Sequence, residues 1–250
     1  MCVVYSTARK CFTLAYAVTR IPSDLRTTTM TLPTIRAVCF DLDGLMFNTE
    51  HVFYESADLL LQRRGLAMSR GAMDAMLGRR PLESFQGLID HLGLIEGPAD
   101  LLAESRVIFR ELLDTKLQPM PGLFELLDLI ESTGLPKGVA TSSPRDYLDD
   151  IFGRFSLSHR FPLQLTAESV THGKPNPEIY LKAAEHLGVH PSEMLVLEDT
   201  QTGTRAGAAA GAFVVSVPHE HTAGHDFSLS SYIATGLHDP FVRRLVTGRA

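Results

Sequence analysis

Four short polar stretches carry residue types that could do chemistry together: Asp41-Leu42-Asp43-Gly44, Thr141-Ser142-Ser143, His172-Gly173-Lys174-Pro175 and Glu198-Asp199. Two carboxylates at alternate positions are costly to desolvate unless a cation or a reaction uses them. Taken alone, the first stretch also fits a solvated acidic turn. The second offers a hydroxyl and backbone N–H groups at a helix start, an oxyanion-binding arrangement, although Ser143 before Pro144 would serve equally as a helix cap. Lys174 would be unremarkable on the surface. Beside a carboxylate and a phosphate, one charge contact at about 4 Å is worth about 4 kcal/mol at an effective dielectric of about 20. Asp41, Asp43 and Asp199, with Glu198 alongside, supply hard oxygen ligands of the kind Mg²⁺ prefers. Without a cation, four acids gathered in one place would repel one another.

The elements that must position these groups are readable around them. Residues 37–40 form a continuous apolar run, as expected of a buried parallel strand, and the acid pair follows at its carboxyl end, where open α/β sheets bind ligands. Residues 137–141 and 194–197 are further strands, each ending in one of the polar stretches, and 213–217 is the last clear strand. An apolar stretch covers 161–165. Helices are expected over 124–132, stopping at Gly134, and over 145–155. Another opens at Asn176-Pro177-Glu178, with Asn as N-cap, Pro at N1 and an acid in the first turn. A small-residue helix follows 198–199. This alternation predicts a parallel sheet with helices on both faces. From Asn48 onward the pattern is helical for about seventy residues, with apolar positions at helical spacing from Val52, a short helix over 72–77, one from Pro81 and one from Pro98. These helices read as a small bundle inserted directly after the first acidic loop, where it would cover the crevice. The expected division is an N-terminal extension over 1–33, a core over 34–48 and 119–250, and a helical cap over 49–118.

Composition narrows the class. The chain has 250 residues, 44% of them hydrophobic, which is ample for a sizeable core. A net charge of −6 argues against a general nucleic-acid or anionic-membrane binder. No apolar run reaches membrane-spanning length. Three cysteines, one of them inside the first strand, form no disulfide framework and point to a reducing, cytoplasmic setting. The first thirty residues are basic and rich in Ser and Thr, as targeting peptides are, but lack a convincing apolar segment with a cleavage site. Alternatively, Met30 is the true start. Gly203, Gly207 and Gly211 fall every fourth residue and suit close helix–sheet packing, not a dinucleotide fingerprint. His219, His221 and His225 follow the last clear strand in a Gly-containing loop, and no dedicated zinc site is expected of them.

Asp41-Leu-Asp43-Gly, Thr141-Ser142, Lys174-Pro175 and Glu198-Asp199, in this order and with a helical insertion after the first, resemble the haloacid dehalogenase superfamily over residues 35–236. Residues 173–178 and 198–203 are similar to the branch containing β-phosphoglucomutase and small sugar-phosphate phosphatases. The resemblance implies a Rossmann-like, doubly wound parallel α/β core with an inserted helical cap. It implies Asp41 as nucleophile, Asp43 as acid and base, Thr141, the Ser142 N–H and Lys174 as phosphoryl ligands, and Mg²⁺ held by Asp41, the Asp43 main-chain carbonyl and Asp199, with Glu198 supporting the site. True dehalogenases of the family lack the second aspartate and need no Mg²⁺. The mutase carries a cap histidine where Phe53 stands, and its cap arginine is replaced near Pro81; both departures favour hydrolysis. Arg79 and Arg80, in a loop that resembles the phosphatases' substrate-facing cap loop, are either substrate contacts or a helix-flanking basic pair. Asn48, in place of the usual Asp, flanks the cap hinge, where altered substrate contacts or gating are expected. The expected activity is Mg²⁺-dependent hydrolysis of a small phosphorylated metabolite, sugar phosphates first, by a monomer or a homodimer. Phosphomutase, pseudouridine-5′-phosphate phosphatase and an inactive binding module are the alternatives.

Overall fold

The computed structural model describes residues 33–76 and 81–248. Six strands form one sheet in the order β3-β2-β1-β4-β5-β6. They are β1 (Ala37–Phe40), β2 (Lys137–Ala140), β3 (Leu163–Leu165), β4 (Met194–Glu198), β5 (Phe213–Ser216) and β6 (Tyr232–Ile233). Each neighbouring pair is parallel. Cys39 of β1 is registered against Gly138 on one side and Val196 on the other. The chain therefore builds outward from β1 in both directions, and the order reverses beside it. That reversal opens the crevice at the strands' carboxyl ends.

Alternation along β1 explains the two layers of helices. Val38 and Phe40 join a core built with α5 (Leu123–Thr133), α6 (Arg145–Arg154) and α9 (Pro240–Thr247). Ala37 and Cys39 face the opposite way, into a core with α7 (Glu178–Leu187) and α8 (Gln201–Ala209). Burial pushes the Cys39 thiol up to about 12, so it behaves as a small apolar filler. β6 and α9 lie beyond the last strand read from the sequence. β6 has two residues, too few to show alternation.

Between β1 and α5 stand α1 (Thr49–Gln62), α2 (Arg70–Met76), α3 (Pro81–Leu92) and α4 (Pro98–Lys116). They enclose a separate apolar core that includes Leu60, Phe85, Leu88 and Leu101. Two chain crossings join this helical block to the sheet, and they run antiparallel to each other. Met120 N–H donates to Met46 C=O at 2.8 Å and Asn48 N–H to Gln118 C=O at 3.1 Å. Asn48 commits both ends of its side-chain amide here: Oδ1 accepts from Gln118 N–H at 2.7 Å and Nδ2 donates to Lys116 C=O at 3.1 Å. Its amide ties the two crossings together. Among the described residues, no helix is long and apolar enough to cross a membrane.

Candidate active site

The strand ends bring the four polar stretches together. Asp41 follows β1 and is nearly buried. Its Oδ1 accepts from Lys174 Nζ at 2.5 Å. The same ammonium donates to Glu198 Oε1 at 2.6 Å and to the Ala140 carbonyl at 2.9 Å, so all three of its protons are placed. Burial alone would lower the Lys174 pKa, but the charges of Asp41 and Glu198 more than offset it and leave it raised. Lys174 is thus a fixed internal cation between two carboxylates. To bind a phosphoryl oxygen directly, it would have to exchange one of these bonds.

Glu198 is fully buried and accepts from donors on every side. Tyr180 of α7 donates to Oε1 at 2.6 Å, while Asp199 N–H and the Thr200 hydroxyl reach Oε2 at 3.2 and 3.1 Å. Gly203 makes room for it, because a Cβ there would fall 1.8 Å from Glu198 Oε1. Close packing against the sheet, the role read for the small residues of this segment, holds for Gly207, where a Cβ would lie 2.8 Å from Val214. Gly203 serves the acid, and Gly211 lies past the end of α8.

Asp199 is also fully buried, and its Oδ1 has no hydrogen-bond partner among the described residues. One oxygen from each of Asp41, Glu198 and Asp199 lies within 4.8 Å of the others. Burial pushes the carboxyls of Asp41 and Asp199 well above the usual range; the Lys174 charge opposes this, most of all at Asp41, while Glu198 adds to it. An orphaned buried carboxylate oxygen inside an all-oxygen donor set fits a hard divalent cation, and Mg²⁺ suits it. Gly44, with φ of 76°, keeps this space open: a Cβ there would fall 2.3 Å from Asp199 Oδ2.

Asp43 sits in a ring of hydroxyls. It accepts from Ser143 Oγ at 2.7 Å, Tyr147 OH at 2.9 Å and Thr141 Oγ1 at 3.3 Å. Ser143 therefore does not cap α6 with its side chain; Pro144 occupies the cap position. Thr141 is buried at the floor and Ser142 is exposed at the rim. Burial, and then the Asp43 charge, raise the Tyr147 pKa, so the phenol stays protonated and remains a donor. The helix after Lys174 begins at Glu178 with Pro177 in the cap position, one residue later than the sequence suggests. Asn176 still caps in effect, accepting from Glu178 N–H at 3.0 Å.

Several groups here carry no motif. His219 returns from beyond β5 to place Nε2 3.0 Å from Asp199 Oδ2 and 3.4 Å from Glu50 Oε2 of α1. Burial holds its pKa below the ordinary value, although the Glu50 charge opposes this. The sequence singles out His219 only among three histidines of which no dedicated zinc site is expected, and the structure places it beside Asp199. Its loop begins where β5 ends, and β5 is registered beside β4, so it reaches the same rim. Tyr147, Tyr180 and Glu50 are single residues on helix faces. A helix-face reading of α6, α7 and α1 against the strand ends was the available signal.

A cleft of about 1510 Å³ lies between sheet and cap. Asp41, Asp43 and Lys174 line it from the core, and Phe53, Arg106 and Arg110 from the cap. Phe53, where the mutase has a histidine, is packed among Tyr54 and Phe85. Arg106 and Arg110, one turn apart on α4, are exposed. Neither forms an ion pair among the described residues. The expected substrate contacts Arg79 and Arg80 fall outside the described residues, as does the N-terminal extension apart from its last residue.

A parallel sheet whose inner strands end in carboxylates around a buried lysine, beneath an inserted helical block, defines a doubly wound, Rossmann-like α/β fold with its candidate site at the carboxyl edge. The chain belongs to the haloacid dehalogenase-like hydrolases, whose family model matches residues 38–217. It is 32% identical over 190 residues to a validoxylamine A 7'-phosphate phosphatase of Streptomyces hygroscopicus subsp. limoneus, covering 75% of this chain and 88% of that one. It is 29% identical over 180 residues to a fructose-1-phosphate phosphatase of Escherichia coli, covering 71% and 94%. The fold is also that of β-phosphoglucomutase from Clostridium difficile, with a TM-score of 0.64 at 21% identity over 85% of this chain and 97% of that one.

Proposed function

We propose that this protein is a Mg²⁺-dependent phosphatase that hydrolyses a small phosphorylated metabolite, sugar phosphates first, through an aspartyl-phosphate on Asp41. The enzyme class, a phosphoric monoester hydrolase, rests on the family and on relatives named as phosphatases. The observation that carries the mechanism is the pairing of two differently held aspartates. Asp41 has one oxygen tied to a buried ammonium, whereas Asp43 is oriented by three hydroxyls.

With Oδ1 held by Lys174, Oδ2 of Asp41 is the oxygen left to attack phosphorus. The bond from phosphorus to the substrate oxygen breaks, and Asp43 supplies the proton that leaves with the alcohol. Asp43, now a carboxylate, takes a proton from water. The water oxygen then attacks phosphorus, the bond to Asp41 breaks, and inorganic phosphate departs with both aspartates restored. Thr141 and Ser142 hold the phosphoryl oxygens, Lys174 joins them by exchanging its bond to the Ala140 carbonyl or to Glu198, and Tyr147 keeps Asp43 aimed. Asp41, the Asp43 main-chain carbonyl and Asp199, with Glu198 behind them, would hold Mg²⁺, which when bound would supply positive charge to neutralise the transferring group. Phe53 offers no group to move a proton to or from a second sugar hydroxyl, which favours hydrolysis over mutation.

The test is phosphate release from a panel of sugar and nucleoside monophosphates, with Mg²⁺ and after chelation. Release from at least one sugar phosphate that stops on chelation and returns with Mg²⁺ supports the reading. Isomerisation that needs a bisphosphate primer would point to the mutase, and inertness toward the whole panel would point to a binding module.

A further inference from the structure

The catalytic reading leaves over the polar loop that follows β5. Its histidines take different partners, although the rings of His219 and His221 lie 5.7 Å apart. His219 goes to Asp199, and His225 Nδ1 accepts from Gln201 N–H at 3.3 Å. Glu220 and His221 turn instead toward the cap and meet His51 in the first turn of α1. Glu220 Oε1 lies 3.6 Å from His51 Nδ1 and 3.3 Å from His221 Nε2, and one donor atom from each of the three residues lies within 4.8 Å of the others.

These separations suit a shared cation. Donors at about 2.0–2.1 Å from a tetrahedral zinc stand about 3.3–3.4 Å apart. Two edges of such a face are already near that length, and the exposed His51 ring can rotate to close the third. His221 is prepared for the task. Its ring lies against Tyr54 at 4.5 Å between centroids, and its Nε2 is shut off from solvent with no hydrogen bond among the described residues. A buried imidazole nitrogen without a hydrogen bond is an unmet donor–acceptor group that a metal would satisfy.

We propose that His51, Glu220 and His221 form a second cation site for a borderline divalent ion of the Zn²⁺, Co²⁺ or Ni²⁺ kind, with water completing the shell. Two imidazoles and one carboxylate select such ions, whereas the all-carboxylate catalytic set suits Mg²⁺. One ligand comes from the cap and two from the core, so loading the site fastens α1 to the loop after β5. The bound ion opposes the cap movement that substrate entry and product release require.

Zn²⁺ binding to the full chain in saturating Mg²⁺, read by competition with a chromogenic chelator, tests this. Changing an outer-shell partner already costs about 10–100-fold in metal affinity, so losing a ligand weakens this site at least ten-fold. The wild type is expected to hold one more tight Zn²⁺ than either His51→Ala or Glu220→Ala. Co²⁺ should give tetrahedral visible bands that vanish in His51→Ala. Hydrogen exchange in α1 should slow with Zn²⁺ in the wild type alone. Phosphate release by His51→Ala with Mg²⁺ and no Zn²⁺ should match the wild type. Equal Zn²⁺ stoichiometry and affinity in all three proteins would overturn the proposal. So would uptake that survives both variants but is lost in Asp199→Asn, since the ion would then occupy the catalytic acids.

Discussion

Lys174→Met keeps the side chain's length and removes its charge and three donors. The residue is 5% exposed in its side chain, and its carboxylate partners Asp41 and Glu198 are 11% and 0% exposed. Breaking a buried pair by deleting one partner costs about 3–5 kcal/mol, because the remaining charge has neither water nor counterion. Two carboxylates are stranded here, together with the Ala140 carbonyl, so the upper end of that range applies. For a chain of this size each kcal/mol moves the melting temperature by about 2–4 °C, so about 5 kcal/mol gives a fall of about 10–20 °C. The assay is thermal denaturation in chelator and again in excess Mg²⁺, with urea midpoints as a second measure. Mg²⁺ should return more of the lost stability to Lys174→Met than it adds to the wild type, because the cation takes over part of the missing charge. Adding Glu198→Gln should then recover about 1–2 kcal/mol. The glutamine carbonyl can keep the N–H groups of Asp199 and Thr200, while its amide, in the place of Oε1, donates to the Tyr180 hydroxyl, which turns from donor to acceptor. A melting temperature within about 2 °C of the wild type, or a second substitution that only adds its own cost, would refute Lys174 as the internal counterion.

Three further outcomes follow from the same geometry. Glu178 accepts from Thr171 N–H, His172 N–H and Lys182, which pull its pKa from 4.5 down to about 2, the Lys182 bond first. A depressed carboxyl stabilises fully above its ordinary pKa and loses that contribution as pH falls. The wild type's advantage over Glu178→Gln in urea midpoint should therefore shrink between about pH 4.5 and pH 2. Arg106→Ala and Arg110→Ala should each raise KM by about ten-fold, or about 1.4 kcal/mol, for substrates with a second anionic group. Their kcat should change little, as steady-state kinetics on mono- and bisphosphates would show. Gly44→Ala should lower Mg²⁺-dependent phosphate release by at least about ten-fold while leaving far-UV dichroism unchanged, because overpacking strain of about 1–3 kcal/mol falls on Asp199.

The readable part of this protein was the part written in consecutive residues. Asp41 and Asp43, Thr141, and Glu198 and Asp199 each end an apolar run, and strand ends are where a parallel sheet gathers its chemistry, so order along the chain translated into place in the fold. The helical insertion declared itself by the change of period after Asn48. What escaped depends on packing between distant elements. Tyr147 and Tyr180 reach Asp43 and Glu198 from helix faces, and a single tyrosine on an amphipathic helix looks like core. His219 lies in a loop without pattern, and only the pairing of β5 with β4 carries it to Asp199. Lys174 was found, but its three bonds could not be read from sequence, because they depend on how deeply its loop is buried. Asn48 carried a motif departure whose use, joining the two hinge crossings, required the position of Gln118.

Asp41 as the carrier of the phosphoryl group is tested most directly by trapping the intermediate. Asp43→Asn removes the base that would release the intermediate, and p-nitrophenyl phosphate has a leaving group that needs little protonation. After this variant is mixed with p-nitrophenyl phosphate and Mg²⁺ and quenched in acid, peptide mass spectrometry should find one phosphoryl group on the segment containing Asp41. The double variant with Asp41→Asn should carry none. A phosphoryl group on any other residue, or labelling that persists without the Asp41 carboxylate, would contradict the account.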